Sequence, residues 1–508
     1  MLRINWTAAA LGAAVFLLIL PLWLANTPAM PDYPARLAGF YLIGGGHSSF
    51  YTVQWSAIPN LAAELIVPAL ARAMPLDVAA RLFLSVAVAM WVAGPALIQR
   101  ALYGRIGPMA LVAAVFAYNI NFMWGFFNYY FAVGLCLIAF AGWIGSAGWQ
   151  RSLRLLLFAP VVIVLYFGHV LAAALFLLLV ACYEVTRKPL LWRTLFVELA
   201  VLALPVGVLF LLQMQSAGGT IEFTVVGTFL RRLTSIVQTR FQAPAYVAIA
   251  TLIILFAVGV WRGVISVHRR MRLALVVLWL SAFLVPEVAM GGWGLHLRFP
   301  AVAAAMLFAS SQMLLPRRMT TALGVAVLAS LDLLSFGLAQ DWRGHDRQVA
   351  EFRAVLHQTP HGIRLMTAVD SDHMEGVPNA LYWHLAEFAL IDRDDATSLM
   401  FATNGQHIIK AAPAIAAISA RTAHEGSPPD MEYLDLLAKG DTRQSKIHRD
   451  LQYLLRFPCH YDELLLIHVS GKPAHVPRML KARHEGSFFT LYDVTRPAEC
   501  STISATRP

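Results

Sequence analysis

The sequence predicts a polytopic α-helical membrane protein that ends in a small α/β domain. Hydrophobic residues make up 58% of the 508-residue chain and charged residues only 13%, whereas a soluble domain carries about 25% charged residues. Apolar runs recur as far as about residue 340, where charged residues return abruptly. The net charge of +10 does not indicate nucleic-acid binding, because many basic residues lie in short loops between apolar runs and form no stripe with interleaved aromatic residues.

About eleven apolar runs are expected to span the membrane, although several are shorter than the usual ~20 residues. The first is expected to stay in the protein as a helix, because no clear small-residue cleavage site follows it; a signal peptide is the alternative. The run 153–185, interrupted only at 167–170, is interpreted as a tight helical hairpin. The expected spans are about 8–25, 77–98, 108–123, 127–147, 153–167, 170–185, 194–214, 245–261, 273–289, 299–315 and 319–339.

The distribution of Lys and Arg predicts the orientation, since short cytoplasmic loops are enriched in both. With the N-terminus in the cytoplasm, every inner loop is basic, and no acid lies among its basic residues. Those residues are Arg100, Arg105, Arg151, Arg154, Arg187, Lys188, Arg193, Arg262, Arg269, Arg270, Arg272, Arg317 and Arg318. The opposite loops hold Asp32, Glu64, Glu222 and Glu287. We therefore expect a protein of the bacterial inner membrane with its C-terminal domain in the periplasm; in a eukaryote that domain would lie in a lumen.

Two domains are expected. Residues 1–340 form a transmembrane domain with a long first outer loop at 26–76, and residues 341–508 form a soluble extracytoplasmic α/β domain. Runs typical of β-strands lie at 363–369, 463–469 and 488–494. Helical patterns lie between them at 380–390 and 446–456.

The four cysteines divide by position. Cys136 and Cys182 fall inside expected spans and are interpreted as packing residues. Cys459 and Cys500 flank the last two expected strands, and antiparallel pairing of those strands would bring the two thiols together. A disulfide then forms in an oxidising compartment, and two free buried thiols are the alternative.

The first outer loop begins with the stretch MPDYPARLAGFYLIGGGHSSFY. Asp32 is a candidate general base, because a carboxylate in a partly apolar pocket can have a raised pKa; the alternative is a helix N-cap that precedes Pro34. Arg36 lies one helical turn further on and could pair with Asp32 or bind a phosphate. His47 and Glu64 are further candidates for substrate binding in this loop.

The amphipathic segments ARLAGFYLI and NLAAELIVPALARAM of the same loop either pack against the helix bundle or line an entrance for a lipid-like substrate. The second outer turn, NINFMWGFFNYYF, is typical of an aromatic belt, and its rings could also stack on a sugar or an isoprenoid chain. His169 lies at the tip of the expected helical hairpin, where it is either structural or a donor to a phosphate or hydroxyl group.

The later outer loops add cations. Arg231 lies in the loop 215–244, against the rule that outer loops are poor in basic residues, and binding of an anionic headgroup, a flexible lid or a solvated helix face would each explain it. Arg298 opens an otherwise apolar helix, where its guanidinium either binds a phosphate in a bidentate manner or snorkels to the membrane surface. Glu287 and His296 lie beside it in PEVAMGGWGLHLRFP.

Motifs of soluble nucleotide chemistry are absent from the sequence, which has no Walker A loop, dinucleotide fingerprint, HExxH motif or CxxC pair. The triplet at 44–46 lacks the strand–turn–helix context of a nucleotide-binding loop. The remaining pattern resembles the class C glycosyltransferases (GT-C), polytopic enzymes that use lipid-phosphate-linked sugar donors at the outer face of the membrane. The shared features are the many spans, the acid just after the first helix in PDYPARL, the helical hairpin and the C-terminal domain. The chain is also similar to bacterial membrane proteins that start with D-x-P-x-H, although Arg36 replaces the histidine and Glu64 is the only other acid before Asp77.

This resemblance implies that Asp32 deprotonates or orients the acceptor hydroxyl, and that the sugar comes from a polyprenyl-phosphate or polyprenyl-diphosphate donor. Arginines such as Arg298 would stabilise the departing phosphate. The implied partners are that lipid donor, a glycan, lipid or protein acceptor and membrane lipids, with no nucleic acid. No cofactor is expected, and no compact carboxylate cluster indicates a divalent metal.

Two other functions are open on the sequence alone. A transporter or flippase of a lipid-linked or anionic substrate would use charges within spans, for which Asp332 is one candidate, but no internal repeat is evident. A non-catalytic envelope-assembly protein would use the outer domain to bind a partner.

Overall fold

The computed structural model describes most of the chain. The described residues are 6–187, 191–214, 232–237, 242–289, 292–370, 380–403, 406–420, 425–443, 447, 450–469, 471 and 475–500. The α-helices in these ranges are α1 (Trp6–Leu24), α2 (Tyr33–Ile43), α3 (Ala62–Ala71), α4 (Leu76–Tyr103), α5 (Pro108–Ala113), α6 (Ile120–Trp124), α7 (Phe127–Gly145), α8 (Arg151–Gly168), α9 (Val170–Val185), α10 (Trp192–Met214), α11 (Gln242–Trp261), α12 (Arg272–Leu284), α13 (Phe299–Ala309), α14 (Arg317–Leu356), α15 (Phe388–Arg393), α16 (Pro413–Ala416) and α17 (Leu434–Lys439). The strands are β1 (Tyr51–Val53), β2 (Ile265–Val267), β3 (Val288–Ala289), β4 (Gly292–Trp293), β5 (Ser311–Met313), β6 (Arg364–Val369), β7 (Ala396–Thr397), β8 (Ile409–Ala411), β9 (Glu463–Ile467), β10 (Leu480–Glu485) and β11 (Phe489–Val494).

The chain forms two compact units. The apolar unit comprises Met1–Asn26, Ala57–Val67 and Val78–Arg343, and the sheet unit comprises Thr27–Ser56, Pro68–Asp77 and Gly344–Pro508. The expected boundary at residue 340 lies close to the last of these divisions. The rest of the division differs from the expectation, because most of the first outer loop belongs with the C-terminal region and not with the helices.

The apolar helices indicate a polytopic membrane protein. Within the described part of the chain, six helices are long and apolar enough to cross a membrane: Trp6–Leu24, Leu76–Tyr103, Phe127–Gly145, Arg151–Gly168, Trp192–Gln213 and Arg318–Leu356. Each of the eleven expected spans coincides with helical structure, but several of those helices are too short to qualify by this measure. The expected number of crossings therefore stays a prediction.

The expected span at 108–123 is a broken helix. α5 ends at Ala113 and continues as a 3-10 helix to Ala117, after which Asn119 starts α6. The Asn119 side chain accepts a hydrogen bond from the Asn121 N–H at 3.0 Å and donates to the Phe116 carbonyl at 2.9 Å. This local bonding replaces the helical pattern at the turn, which is typical of Asn.

Three further boundaries differ from the expectation. α12 ends at Leu284, because the residue before Pro286 is disfavoured in the helical region. α13 ends at Ala309, and β5 then pairs antiparallel with β2. The last span runs on as part of the 40-residue helix α14, whose amphipathic second half continues past Gly344.

The sheet unit contains a mixed five-stranded sheet in the order β10-β11-β9-β6-β7. β9, β11 and β10 pair antiparallel, and β6 runs parallel to both β9 and β7. All three expected strands of the C-terminal region are therefore confirmed. Of the two expected helical patterns, 380–390 forms a 3-10 turn followed by α15. In 446–456, the described residues 447 and 450 are helical, and the 3-10 turn Gln452–Leu454 follows.

The first outer loop contributes a helix and a strand to the sheet unit. β1 pairs antiparallel with β8, with Tyr51 opposite Ala411. The Tyr51 hydroxyl donates to the Thr397 carbonyl at 3.2 Å and accepts from the Thr397 N–H at 3.1 Å. Ala38 and Leu42 of α2 belong to the same buried apolar cluster as residues of β6, β9 and α17. These contacts explain why residues 27–56 are part of this unit.

A disulfide joins Cys459 and Cys500, with their Cα atoms 5.3 Å apart. It follows from the antiparallel pairing of β9 with β11, so of the two alternatives left open by the sequence the disulfide is the one that the structure shows. Cys136 and Cys182 are free and buried in helices α7 and α9, which confirms their interpretation as packing residues.

Candidate functional site

Asp32 is the residue immediately before α2 in the sheet unit. It occupies the N-cap position, and Pro34 lies in the first turn, but its side chain makes no capping hydrogen bond. The residue is only 7% exposed. A buried carboxylate is costly unless charged or polar groups compensate it. The capping interpretation therefore accounts for the position of Asp32 and not for the burial of its carboxylate.

A buried histidine and a second carboxylate belong to the same unit. His384 Nδ1 and Glu387 Oε1 are 3.4 Å apart, and both side chains are almost inaccessible. Glu387 Oε2 has no hydrogen-bond partner among the described residues. An unsatisfied buried polar group costs about 1–3 kcal/mol. The pair is thus an exception to the rule that buried polar groups are hydrogen-bonded, which makes it a candidate for a functional role.

The charge of Asp32 acts on His384. Burial lowers the pKa of the His384 imidazole, but the Glu387 hydrogen bond, the Glu387 charge and the Asp32 charge together outweigh burial. The pKa of His384 is therefore raised, even though Arg36 opposes the shift. The imidazolium form is thus favoured beside two buried carboxylates, which is the usual effect of opposite charges on a histidine.

Phe401 lies at the centre of this group of polar residues. The Arg36 guanidinium lies 4.9 Å from its ring centroid, within the range of a cation–π contact. The His384 ring meets Phe401 edge-on at 4.7 Å, and the His407 ring stacks on it at 5.3 Å. Burial and the charges of Arg36 and Lys410 lower the pKa of His407 to about 3, so this imidazole is neutral at ordinary pH.

We call Asp32, Arg36, His384, Glu387, Phe401, His407 and Lys410 the Asp32 cluster. Sequence reasoning singled out only its first two members. His384 and Glu387 gave one signal, a polar pair three residues apart in the apolar stretch 380–390. Phe401 and His407 lie in a segment without a regular pattern and gave none.

His47 is not a member of the cluster. Its side chain is 80% exposed and lies 3.4 Å from Asp394, to which Ser49 also donates through its hydroxyl at 2.7 Å. This is a surface turn that leads into β1. The geometry shows His47 in a surface contact with Asp394, and its expected role in substrate binding stays a prediction.

The candidates in the apolar unit centre on Arg298. Arg298 occupies the N-cap position of α13, as expected for a residue that opens a helix. Its guanidinium lies 4.9 Å from the Phe126 ring centroid and 5.3 Å from that of Tyr129, and Nη2 donates to the Trp293 carbonyl at 3.3 Å. The Tyr129 hydroxyl donates to the Arg298 carbonyl at 2.5 Å. A cation is thus held among aromatic rings at a helix N-terminus, where the helix dipole favours anions.

Arg298 and His169 face each other. His169 lies between α8 and α9, which confirms the helical hairpin, and its Nδ1 accepts from the Leu171 N–H at 3.1 Å. Arg298 Nη1 lies 2.5 Å from His169 Nε2, and this hydrogen bond joins the turn between α8 and α9 to the start of α13.

Glu287 and His296 lie close to Trp293. The Trp293 indole N–H donates to Glu287 Oε1 at 3.2 Å, and the Trp293 and His296 rings meet edge-on at 6.5 Å. His296 is fully buried in the 3-10 turn that precedes α13. Both expected residues therefore support the segment that presents Arg298.

Glu64 has a different environment in the apolar unit. The Asn128 side-chain amide donates to Glu64 Oε2 at 2.7 Å, and Asn128 Oδ1 accepts from the Ala63 N–H at 2.7 Å. These bonds attach the start of α3 to α7. The geometry shows Glu64 in helix anchoring, and its expected role in substrate binding stays a prediction.

Arg231 lies outside the described residues, and its expected role is a prediction. Its neighbour Arg232 is buried and donates to the carbonyls of Ala282 and Val285 at 2.9 and 3.1 Å. These are carbonyls at the C-terminal end of α12, where a cation is favourable. Capping thus explains one of the basic residues that run against the positive-inside rule.

The other chemical expectations have limited support. Asp332 lies on an exposed position of α14 and does not face the interior of the apolar unit. Within the described ranges, no group of three or more His, Cys, Asp or Glu residues could hold a metal ion.

No protein-family model matches the chain, and no curated protein matches it in sequence.

Proposed function

We propose that the chain is a membrane glycosyltransferase that moves a sugar from a polyprenyl-phosphate-linked donor to an acceptor at the outer face of the membrane. The observation that carries this proposal is the burial of the Asp32 carboxylate. Its side chain makes no capping hydrogen bond to α2, and its charge acts on His384. A carboxylate in a buried setting can act as a general base.

The disulfide supports the proposed compartment. Structural disulfides persist in oxidising compartments and are rare in the cytosol, and the Cys459–Cys500 bond lies in the sheet unit. The basic loops independently favour a cytoplasmic N-terminus. We therefore assign the sheet unit to the outer side of the membrane, which is the periplasm if the protein belongs to a bacterial inner membrane.

In the proposed reaction, the Asp32 carboxylate removes the proton of the acceptor hydroxyl. The acceptor oxygen bonds to the anomeric carbon, and the bond from that carbon to the donor's phosphate oxygen breaks, with its electron pair leaving on the phosphate. General-base catalysis of this kind contributes about 10²–10⁴ in rate. Within the apolar unit, Arg298 and His169 are proposed to bind a lipid phosphate, since charge-assisted hydrogen bonds to phosphate are strong.

The test uses membranes that contain the full chain and a set of radiolabelled polyprenyl-phosphate sugars. Wild-type membranes should transfer label from at least one donor into a water-soluble or acceptor-bound product, and Asp32→Asn should lower the rate at least about 100-fold without loss of polyprenyl-phosphate binding. Asp441→Asn is the matched control, because Asp441 pairs with Arg443 at the surface of the same unit. Glycolipids and glycans of cells that lack the native copy, complemented with each variant, would identify the product.

Two results would contradict the proposal. If wild-type membranes transfer no label beyond membranes without the protein, and cells lacking the native copy have unchanged glycans, the chain is not a glycosyltransferase. If Asp32→Asn transfers at the wild-type rate, Asp32 is not the base.

A further inference from the structure

Three buried ionisable residues of the sheet unit come from two distant segments. Asp32 precedes α2. His384 lies just before the 3-10 turn Leu385–Glu387, and Glu387 is the last residue of that turn. α2 packs against that turn and against α15. The relative exposures of Asp32, His384 and Glu387 are 7%, 5% and 0%. Their burial strengthens the electrostatic interaction between them, because water screens them little.

The second oxygen of Glu387 separates this arrangement from an ordinary buried ion pair. Oε1 faces His384 Nδ1, while Oε2 has no hydrogen-bond partner within the described segments. An amide at this position would serve packing equally well with less desolvation of charge. A carboxylate that faces one nitrogen of an imidazole fixes the tautomer and orientation of the ring, and it stabilises the protonated form.

We propose that His384, fixed by Glu387, is a positioning residue that keeps the Asp32 carboxylate ionised for the transfer step. This inference rests on the proposed function for its chemistry and on the sheet unit for its geometry. Burial disfavours an ionised Asp32, and a neighbouring cation restores it. His384 keeps its proton throughout, touches neither donor nor acceptor, and takes no part in bond formation.

The charged groups around His384 determine the expected pH dependence. Glu387 on its own segment and Asp32 on α2 favour the imidazolium, while Arg36 on α2 opposes it. Because the pKa of His384 is raised in the folded protein, its stabilising interaction is complete below the usual pKa of histidine. The interaction is lost as the pH rises through the raised value.

The first readout is the pH dependence of transfer by full-length protein. His384→Gln should move the acid limb of the rate profile up by about one pH unit and lower kcat more than it changes KM, because it removes a cation that acts on Asp32. His475→Gln is the matched control, because His475 is an exposed histidine of the same unit that pairs with Asp435. An unshifted acid limb in His384→Gln would overturn the positioning role, whatever the loss in rate.

The second readout does not depend on activity. A double-mutant cycle on the melting temperature compares Asp32→Asn, His384→Gln and the double variant at pH 6 and pH 9. The effects should be non-additive by at least about 2 °C at pH 6, and the non-additivity should be smaller at pH 9, because the interaction weakens as the pH rises through the raised pKa of His384. The same cycle with Glu387→Gln, which keeps the side-chain volume, serves if His384→Gln does not fold.

The two readouts distinguish failure of this inference from failure of the proposed function. Additive effects at both pH values would show that Asp32 and His384 are not coupled, and the inference would be wrong even if the protein transfers sugar. Coupling at pH 6 in a protein without transferase activity would leave the charge interaction standing and overturn the function to which we assign it.

Discussion

The strongest prediction for stability concerns Asp395 in the sheet unit. Asp395 and Glu463 share the fully buried guanidinium of Arg393, which is in contact with Asp395 and 3.3 Å from Glu463 Oε2. Asp395 Oδ1 also accepts from the Ile363 N–H at 3.1 Å. Burial raises the pKa of Asp395 to about 7, although Arg393 and the Ile363 hydrogen bond act in the opposite direction.

The sign of the effect follows from this raised pKa. Between the usual value of 3.8 and about 7, the folded state binds more protons than the unfolded state, so stability falls as the pH rises through this window. A shift of about three units corresponds to at most about 4 kcal/mol. Asp395→Asn keeps the acceptor for Ile363 and removes the titration. We therefore expect its stability relative to wild type to improve by up to about 3 kcal/mol between pH 4.5 and pH 7.5.

Hydrogen exchange measured by mass spectrometry can test this prediction in the full chain. Peptides that cover β6 and β9 report the opening of the sheet unit, separately from the apolar helices, once the intrinsic exchange rates are corrected for pH. Wild-type protection of these strands should weaken towards neutral pH, and that of Asp395→Asn should weaken less. Parallel changes in the two proteins would show that Asp395 is ionised in the folded state at both pH values, and the argument from burial would fail.

Three further predictions test other parts of the structure. Cys459→Ser, or reduction of wild type, should destabilise the sheet unit by about 4 kcal/mol, since the disulfide closes a loop with a sequence separation of 41; unchanged protection of β9 after reduction would contradict this. Tyr51→Phe should lower the free energy of unfolding of the sheet unit by about 1–2 kcal/mol and speed hydrogen exchange at β1, because both backbone partners of the hydroxyl are buried. An unchanged exchange rate would show that the hydroxyl does not stabilise the pairing of β1. Arg298→Lys should weaken polyprenyl-phosphate binding about tenfold, as a lysine keeps the charge and loses the fork of donors; equal affinity in the two proteins would exclude bidentate contacts by Arg298.

Local patterns made much of the fold predictable. The strands β6, β9 and β11 are short runs rich in apolar residues, and the long helices are continuous apolar runs, so each has its signal within a single window of sequence. The placement of β1 could not be predicted in this way. A three-residue strand has almost no pattern of its own, and its partner lies in another part of the chain.

The candidate site was only partly predictable for a related reason. Asp32 and Arg36 are conspicuous because they are charged residues beside an apolar run. His384 and Glu387 become candidates only because they are buried and because the Asp32 charge acts on His384. The sequence shows neither property. Arg232 illustrates another limit. The conflict of its loop with the positive-inside rule left headgroup binding, a lid and a solvated helix face open, while the structure gives Arg232 the carbonyls at the end of a helix.

The pairing of β1 with β8 has a consequence for biosynthesis. Tyr51 and Ala411 are partners in the strand register and lie 360 residues apart in the chain. At ribosomal rates of about 5–20 residues per second, the second strand is made about 20–70 s after the first. During that interval the segment around β1 has no partner edge, and it is open to proteases and to wrong pairing with other chains. The sheet unit is thus among the last parts of the protein to be completed, after all the helices between its two strands have been synthesised.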